Sequence, residues 1–327
     1  MGNKTVLLTG GAGYIGSHVA LDLLQEGYEV IVLDDLSRGF AAAVAGCELI
    51  RGDTGNKELL GLLLSKRRVG AVIHFAGSTI VPESVANPLK YYENNTVKSR
   101  ALLEVCVQTG VKHFVFSSTA AVYGIPASGQ ATLQTPTEPV NPYGMSKLMT
   151  EIMLRDVAAV APLNYATLRY FNVAGADPQG RIGQSTADCT LLIKVACETA
   201  LGKRQQLHIY GTDYPTPDGT GIRDYIHVSD LAAAHVLALQ RLQSGGESIT
   251  LNCGYGHGYS VWEVVRAVEQ VHGSPIPVVE SERRPGDPPA LVADGSSARE
   301  ALGWQPRYDD LEFIVRTSYD WERKPRY

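Results

Sequence analysis

Thr5-Val6-Leu7-Leu8-Thr9-Gly10-Gly11-Ala12-Gly13-Tyr14-Ile15-Gly16, followed by helical apolar spacing from His18 to Gln25, is the stretch on which the fold class turns. Residues 5–9 form a continuous apolar run, as a parallel strand buried on both faces requires. Glycines 10, 13 and 16 then allow a tight turn, a close approach of backbone to ligand, and packing of helix on strand, while the free N–H groups of a helix start attract an anion. The spacing is Gly-x-x-Gly-x-x-Gly, not the Gly-x-Gly-x-x-Gly of many dehydrogenases, and in isolation it would serve any tight turn. Its context supplies the meaning. A second apolar run, Glu29-Val30-Ile31-Val32-Leu33, ends in Asp34-Asp35, with Asp34 18 positions after Gly16. A carboxylate there binds the adenosine ribose hydroxyls of a dinucleotide and repels a 2'-phosphate, so NAD is expected over NADP. Tyr14 and Ile15 share the glycine turn and are expected beside the cofactor.

Working outward, strand-like and helical patterns alternate. A strand near 48–51 leads into Gly52-Asp53-Thr54, where Asp53 is a candidate for the adenine amino group and equally a turn or helix cap. A helix near 57–65 and a strand at 71–74 follow, with Phe75-Ala76-Gly77 at the strand's carboxyl end. A long helix from about 88 to 109 carries Asn95, a strand at 113–117 closes on Ser117, and a strand at 166–170 closes on Tyr170. This alternation predicts an α/β fold, a Rossmann-type doubly wound parallel sheet whose strand ends meet at one crevice. Beyond Asn172 the pattern loosens. The expected division is 1–172 for the NAD-binding unit and 173–327 for a smaller α/β substrate unit, with helices near 189–202, 260–272 and 309–322 and a strand near 248–252. A helix near 229–241 should pack back on the first unit.

Composition narrows the function classes. With 327 residues, 44% hydrophobic and 19% charged, the chain has the profile of a globular protein. A net charge of -5 without a Lys/Arg run argues against nucleic acid or a membrane surface as partner. No apolar run approaches the ~20 residues of a membrane span, and the start of the chain lacks signal-peptide character, so a cytoplasmic location is expected. Five scattered cysteines without a Cys-x-x-Cys point to reduced thiols, and no metal is expected.

The chemistry gathers at Tyr143-Gly144-Met145-Ser146-Lys147, in a predicted helix from about 142 to 159. Tyr143 and Lys147 lie one turn apart on one face, which lets a phenol and an ammonium serve one site. Bringing a phenol from a pKa near 10 to about 7 takes roughly three units, or about 4 kcal/mol, and a neighbouring ammonium and a nicotinamide cation are charges of the right sign.

Together, Thr9 to Gly16, Ser117-Ser118-Thr119, Tyr143-x-x-x-Lys147 and Arg169-Tyr170-Phe171-Asn172 resemble the extended short-chain dehydrogenase/reductase superfamily. His74 to Gly77, Gly211 to Gly219, Arg223-Asp224-Tyr225-Ile226-His227 and Arg283 to Asp287 make the chain similar to that superfamily's UDP-hexose 4-epimerases over nearly its whole length. The resemblance implies a catalytic set of Tyr143 as base, Lys147 as its activator and Thr119 on the sugar 4-oxygen. It implies cofactor contacts from the glycine turn, Asp34, Asp35, Asp53, Thr54, Phe75, Ala76, Gly77, Asn95, Ser117, Tyr143, Tyr170 and Lys147, the last also holding the nicotinamide ribose. UDP-sugar contacts would come from Thr119, Tyr143, Asn172, Tyr210, Arg223, Arg284, Asp287 and Leu291, and a homodimer is expected.

Three positions depart from the family pattern. Thr119 replaces a frequent Ser but keeps the hydroxyl; Leu191 stands at a helix position where relatives often place Asn or His; Leu291 is intermediate in size at a wall that governs entry of N-acetyl sugars. UDP-N-acetylhexosamines, UDP-pentoses and UDP-uronates are the alternative substrates. A nucleotide-sugar dehydratase or decarboxylase is disfavoured because Ala120-Ala121 stands where dehydratases resemble an Asp-Glu pair. A silent NAD-binding sensor should have lost Tyr143, Lys147 or the arginines, and all are present.

Overall fold

The computed structural model describes residues 4–284 and 286–327; Met1 to Asn3 and Pro285 of the charged turn lie outside the described residues. The glycine stretch links β1 (Thr5–Thr9) to α1 (Tyr14–Gln25), and β2 (Glu29–Asp34), β3 (Glu48–Arg51), α2 (Lys57–Lys66) and β4 (Ala71–His74) continue the alternation. Next come α3 (Val81–Ala86), α4 (Pro88–Tyr91), a π-helical stretch Tyr92–Val97, α5 (Lys98–Thr109) and β5 (His113–Ser117). The single long helix expected over 88–109 is therefore interrupted by a widened turn. That turn places Asn95 inside the protein, 2% exposed.

A short β6 (Gln130–Ala131) precedes α6 (Pro142–Ala158), which starts at Pro142 and is capped by Asn141, whose side chain accepts from the Gly144 N–H at 2.9 Å. β7 (Asn164–Tyr170) and β8 (Asn172–Ala174) follow. The remaining elements are α7 (Leu192–Ala200), β9 (Leu207–Tyr210), β10 (Ile222–Arg223), β11 (Tyr225–His227), α8 (Val228–Gln243), β12 (Ile249–Cys253), β13 (Tyr259–Ser260), α9 (Val261–His272), β14 (Val278–Ser281), β15 (Ala290–Ala293), α10 (Ser296–Leu302) and α11 (Leu311–Arg323).

Seven strands form one all-parallel sheet in the order β12-β7-β5-β4-β1-β2-β3. Alternate residues of β1 and β2 point to opposite faces. Val6, Leu8, Val30 and Val32 pack with α1 and α8, while Leu7, Ile31 and Leu33 pack with α2 and α5. Both faces are thus covered, which is why the strands read as unbroken apolar runs. α8 does return to the sheet, with Leu231, Ala234 and Ala238 fully buried. So does β12, which pairs with β7 in register Ile249↔Ala166 to Cys253↔Tyr170. Sequence had left that strand in the second unit because nothing local marks it as a sheet edge.

The chain reverses direction across the sheet between β1 and β4, the place where doubly wound folds bind ligands. A four-stranded sheet, β13-β10-β15-β6, and the parallel pairs β11-β8 and β14-β9 are separate from this sheet. Among the described residues no helix is long and apolar enough to cross a membrane.

Candidate active site

One crevice of about 1160 Å³ runs from the glycine turn, past Tyr143 and Thr119, to Arg223, Asp287, Arg284 and Tyr210. That exceeds the ~300–1,000 Å³ of most single-ligand pockets and suits two ligands meeting end to end.

At its first end α1 begins at Gly13 with no side-chain cap and no acidic residue in its first turn, so its N–H groups are left for an anion. Gly10, at φ +67°, lies so close to the segment that follows β4 that a Cβ would stand 2.5 Å from the Ala76 nitrogen; a Cβ on Gly16 would stand 2.6 Å from the Gly10 oxygen. The glycines are therefore required by close packing of turn, helix and strand. Asp34 braces this turn, its carboxylate accepting the Ala12 and Leu36 N–H groups, each at 2.9 Å. Burial raises its pKa, and these two donors offset only part of the rise. Asp35 is exposed and accepts from the Ser37 N–H at 2.8 Å. Asp53 accepts from the Gly55 N–H at 2.6 Å and pairs with Lys98, so the turn-capping role is realised, yet both Asp53 and Thr54 still face the crevice. These features fit a dinucleotide: bare N–H groups for its pyrophosphate and carboxylates for its adenosine end.

At the centre Tyr143 is buried and edge-on to Tyr91 at 6.4 Å. Burial lifts its phenol above the ordinary range, and the Thr119 hydroxyl facing it works in the opposite direction. Lys147 is 3% exposed; its ammonium donates to the Ser117 carbonyl at 3.0 Å and lies 5.0 Å from the Phe116 ring. Desolvation lowers its pKa to about 8, with Glu151 one turn further along α6 opposing the shift. The sequence reading cast Lys147 as the lever on the Tyr143 pKa; in the protein alone burial dominates the phenol, and the ammonium is turned to Ser117. The Ser117 hydroxyl shares a 2.8 Å hydrogen bond with the Tyr170 phenol.

At the far end Arg223 and Asp287 approach to 3.7 Å, and the Arg284 guanidinium lies 3.7 Å from the Tyr210 ring centroid. Leu291, in β15, sits beside Arg223 of β10 and packs against the cluster of Ala120, Val122 and Tyr123.

Residues 6–254 match the model of a family described as NAD dependent epimerase/dehydratase. The chain belongs to the NAD dependent epimerase/dehydratase family. Within it, a UDP-glucose 4-epimerase of Azospirillum brasilense is 58% identical over 319 residues, covering 97% of this chain and 92% of the relative. The crystal structure of a Brucella ovis UDP-glucose 4-epimerase in complex with NAD superposes with TM-score 0.94 at 44% identity, covering 97% and 98% of the two chains. A Bifidobacterium longum UDP-glucose 4-epimerase solved with NAD+ and UDP gives 0.93 at 39% identity, covering 98% of each.

As a member of this family the chain gathers most of what its motifs announced. The glycine turn, Asp34, Asp35, Asp53, Thr54, Phe75, Ala76, Gly77, Ser117, Thr119, Tyr143, Tyr170, Asn172 and the far-end residues Tyr210, Arg223, Arg284, Asp287 and Leu291 all line the crevice. Asn95 does not. Its side chain accepts the Ser78 N–H at 2.7 Å and donates to the Ser78 carbonyl and the Ser146 hydroxyl, each at 3.0 Å, while its neighbour Asn94 faces the crevice. Lys147 likewise stands behind the wall. Leu191 lies just outside α7, at its N-cap, so the helix begins later than the sequence spacing suggested. Tyr214 was missed: it lines the crevice, its hydroxyl is buried with no hydrogen-bond partner among the described residues, and the Arg283 guanidinium lies 4.2 Å from its ring centroid. Its place in Gly211-Thr212-Asp213-Tyr214 was the available signal.

Proposed function

We propose that this protein is an NAD-dependent 4-epimerase of UDP-hexoses, interconverting UDP-galactose and UDP-glucose through a transient 4-keto sugar. The observation that carries the reading is one continuous crevice with an anion-ready helix start at one end, Arg223 and Arg284 at the other, and the buried Tyr143 phenol between them. NAD supplies the hydride acceptor for C4 of the sugar and the hydride that is later returned. In this reading residues 1–172, with α8 packed on them, hold NAD, and 173–327 hold the UDP-sugar.

The residues divide the work as follows. Tyr143 removes the proton of the 4-hydroxyl, Thr119 hydrogen-bonds the 4-oxygen, and Lys147 supplies the positive charge that favours the phenolate. Asp34 binds the adenosine ribose, Asp35 flanks it, and Asp53 faces the adenine. Thr54, Phe75, Ala76, Gly77, Ser117 and Tyr170 wall the cofactor, and Asn95 braces Ser78 and Ser146 from behind. Arg223 and Arg284 hold the diphosphate, because a guanidinium offers paired donors that stay charged. Tyr210 faces the uracil, Asn172 and Asp287 hold the nucleotide and its ribose, and Leu291 forms the wall beside the sugar. Ala120 and Ala121 offer no acid or base for elimination.

The test is to incubate the protein separately with UDP-galactose and UDP-N-acetylgalactosamine and resolve the 4-epimers by NMR. Conversion of the hexose supports the reading, and conversion of both widens it to N-acetyl sugars. Failure with both, NAD supplied, refutes it.

A homodimer and a cytoplasmic setting belong to the same reading. Val85, Leu89, Met149 and Ile152 expose apolar side chains on α3, α4 and α6, neighbouring helices that a symmetry mate would cover. A monomeric mass at micromolar concentration by analytical ultracentrifugation would exclude the dimer. All five cysteines are free thiols, four of them buried, which accords with a reducing compartment.

A further inference from the structure

Strand β5 closes on Ser117 and runs on into Ser118 and Thr119, three consecutive hydroxyl residues that each engage a different turn of α6. The Ser117 carbonyl accepts from Lys147, the Ser118 hydroxyl donates to the Glu151 carboxylate, and the Thr119 hydroxyl faces Tyr143. Residues 143, 147 and 151 follow one another at four-residue steps on one helix face, so the strand end meets that face at three points. The role of the first and third contacts is set by the chemistry; the second has been given none.

That second contact is elaborately held. Glu151 is 8% exposed and accepts from Arg169 through Nε at 3.1 Å to both oxygens and through Nη2 at 2.5 Å. Arg169 also donates to the Tyr123 hydroxyl at 2.9 Å and lies 4.9 Å from its ring centroid. Tyr123 in turn donates to Asn252 at 2.7 Å, and Asn252 donates to the Ala131 carbonyl at 3.0 Å. The segment carrying Thr119 is thus tied on one side through Ser118 to Glu151 and on the other through Tyr123 to Arg169. None of Ser118, Glu151, Arg169 and Tyr123 lines the crevice, so none is placed to touch substrate or cofactor.

We propose that Ser118, Glu151 and Arg169 are positioning residues that fix the Thr119 hydroxyl against the Tyr143 phenol, holding both on the reacting hydroxyl. This rests on the reading of Tyr143 and Thr119 as the pair that meets the sugar 4-oxygen. Displacing a positioned group by about 1 Å can cost on the order of a hundredfold in rate without weakening binding. A contact that served only stability would not separate the two.

The experiment compares the parent, Ser118→Ala and Glu151→Gln. Ser118→Ala leaves the Glu151–Arg169 ion pair intact, so the fold should persist even if Glu151→Gln, which strips a buried guanidinium of its counter-charge, does not fold. Expected for Ser118→Ala is a kcat on UDP-galactose about ten- to a hundredfold below the parent, with KM and the amount of bound NAD within twofold. Glu151→Gln, where soluble, should lose at least as much kcat with the same unchanged KM. A Ser118→Ala kcat within twofold of the parent overturns the proposal while leaving the epimerase reading intact. Equal losses in kcat and NAD content with a lowered melting temperature also overturn it, by making the contact structural. A parent that converts no UDP-sugar removes the reading on which it rests.

Discussion

Replacing Tyr143 by Phe removes one hydroxyl from the crevice and leaves the ring, with its edge-on contact to Tyr91, in place. In the protein alone burial holds the Tyr143 phenol above its ordinary range, with the Thr119 hydroxyl opposing the shift, so the neutral phenol predominates at pH 7. A base that works at neutral pH therefore needs more than the roughly three units, about 4 kcal/mol, that an unperturbed phenol would need, supplied as preferential stabilisation of its charged form by cations in the loaded site. Lys147 is the protein's contribution, held behind the wall by Ser117. A positioned general base contributes about 10²- to 10⁴-fold, or some 3–6 kcal/mol of barrier. Tyr143→Phe should thus lower kcat for UDP-galactose by at least a hundredfold, with bound NAD and melting temperature close to the parent. The assay is epimer conversion followed by NMR, with NAD quantified after denaturation of the same sample. A variant within fivefold of the parent would refute the assignment, because the proton would then be leaving by another route.

Three further outcomes follow from the geometry. Asp34→Ala should lose NAD during gel filtration and relax discrimination against NADP, since it removes both the ribose carboxylate and the brace on the Ala12 N–H; unchanged retention and selectivity would show that the ribose is held elsewhere. Tyr214→Phe should raise KM for the UDP-sugar several-fold at constant kcat if the buried hydroxyl, without a partner among the described residues, finds one in the substrate; identical kinetics would exclude that. Acid should destabilise the fold. Burial holds His18 and His235 at about 4 and His74 and His227 at about 3, below the 6.5 of an unfolded histidine. Below pH 6.5 the unfolded chain binds protons that the native one refuses, so stability is lost as pH falls, at up to about 1.4 kcal/mol per unit for each histidine. Asp22, raised to about 6 by burial, opposes this below pH 6. The urea midpoint at pH 5 should fall well below that at pH 7.5, and equal midpoints would contradict the burial.

Much of this was legible in the chain because its signals are local. The run from Thr5 to Gly16 fixes strand, turn and helix within a dozen residues, and Tyr143 with Lys147 shares a face by helical geometry alone. What escaped depends on distant partners. β12 becomes a sheet edge through its pairing with β7, 83 positions away (249 minus 166). The widened turn at Tyr92–Val97 has no sequence mark, yet it decides that Asn94 faces the crevice and Asn95 the interior. Spacing does not report burial, and in the protein alone burial is the largest influence on both Tyr143 and Lys147. Short strands such as Ile222–Arg223 and Ala290–Ala293 owe their existence to each other, and through them Arg223 comes to stand beside Leu291.

The central claim is that C4 of a UDP-hexose gives up a hydride and receives the same one back, with no exchange into water. Incubating the protein with unlabelled UDP-galactose in D2O and recording the proton spectrum of the UDP-glucose formed tests this directly. The account predicts product carrying a full proton at C4. Deuterium at C4 would contradict it, showing inversion by proton abstraction at carbon.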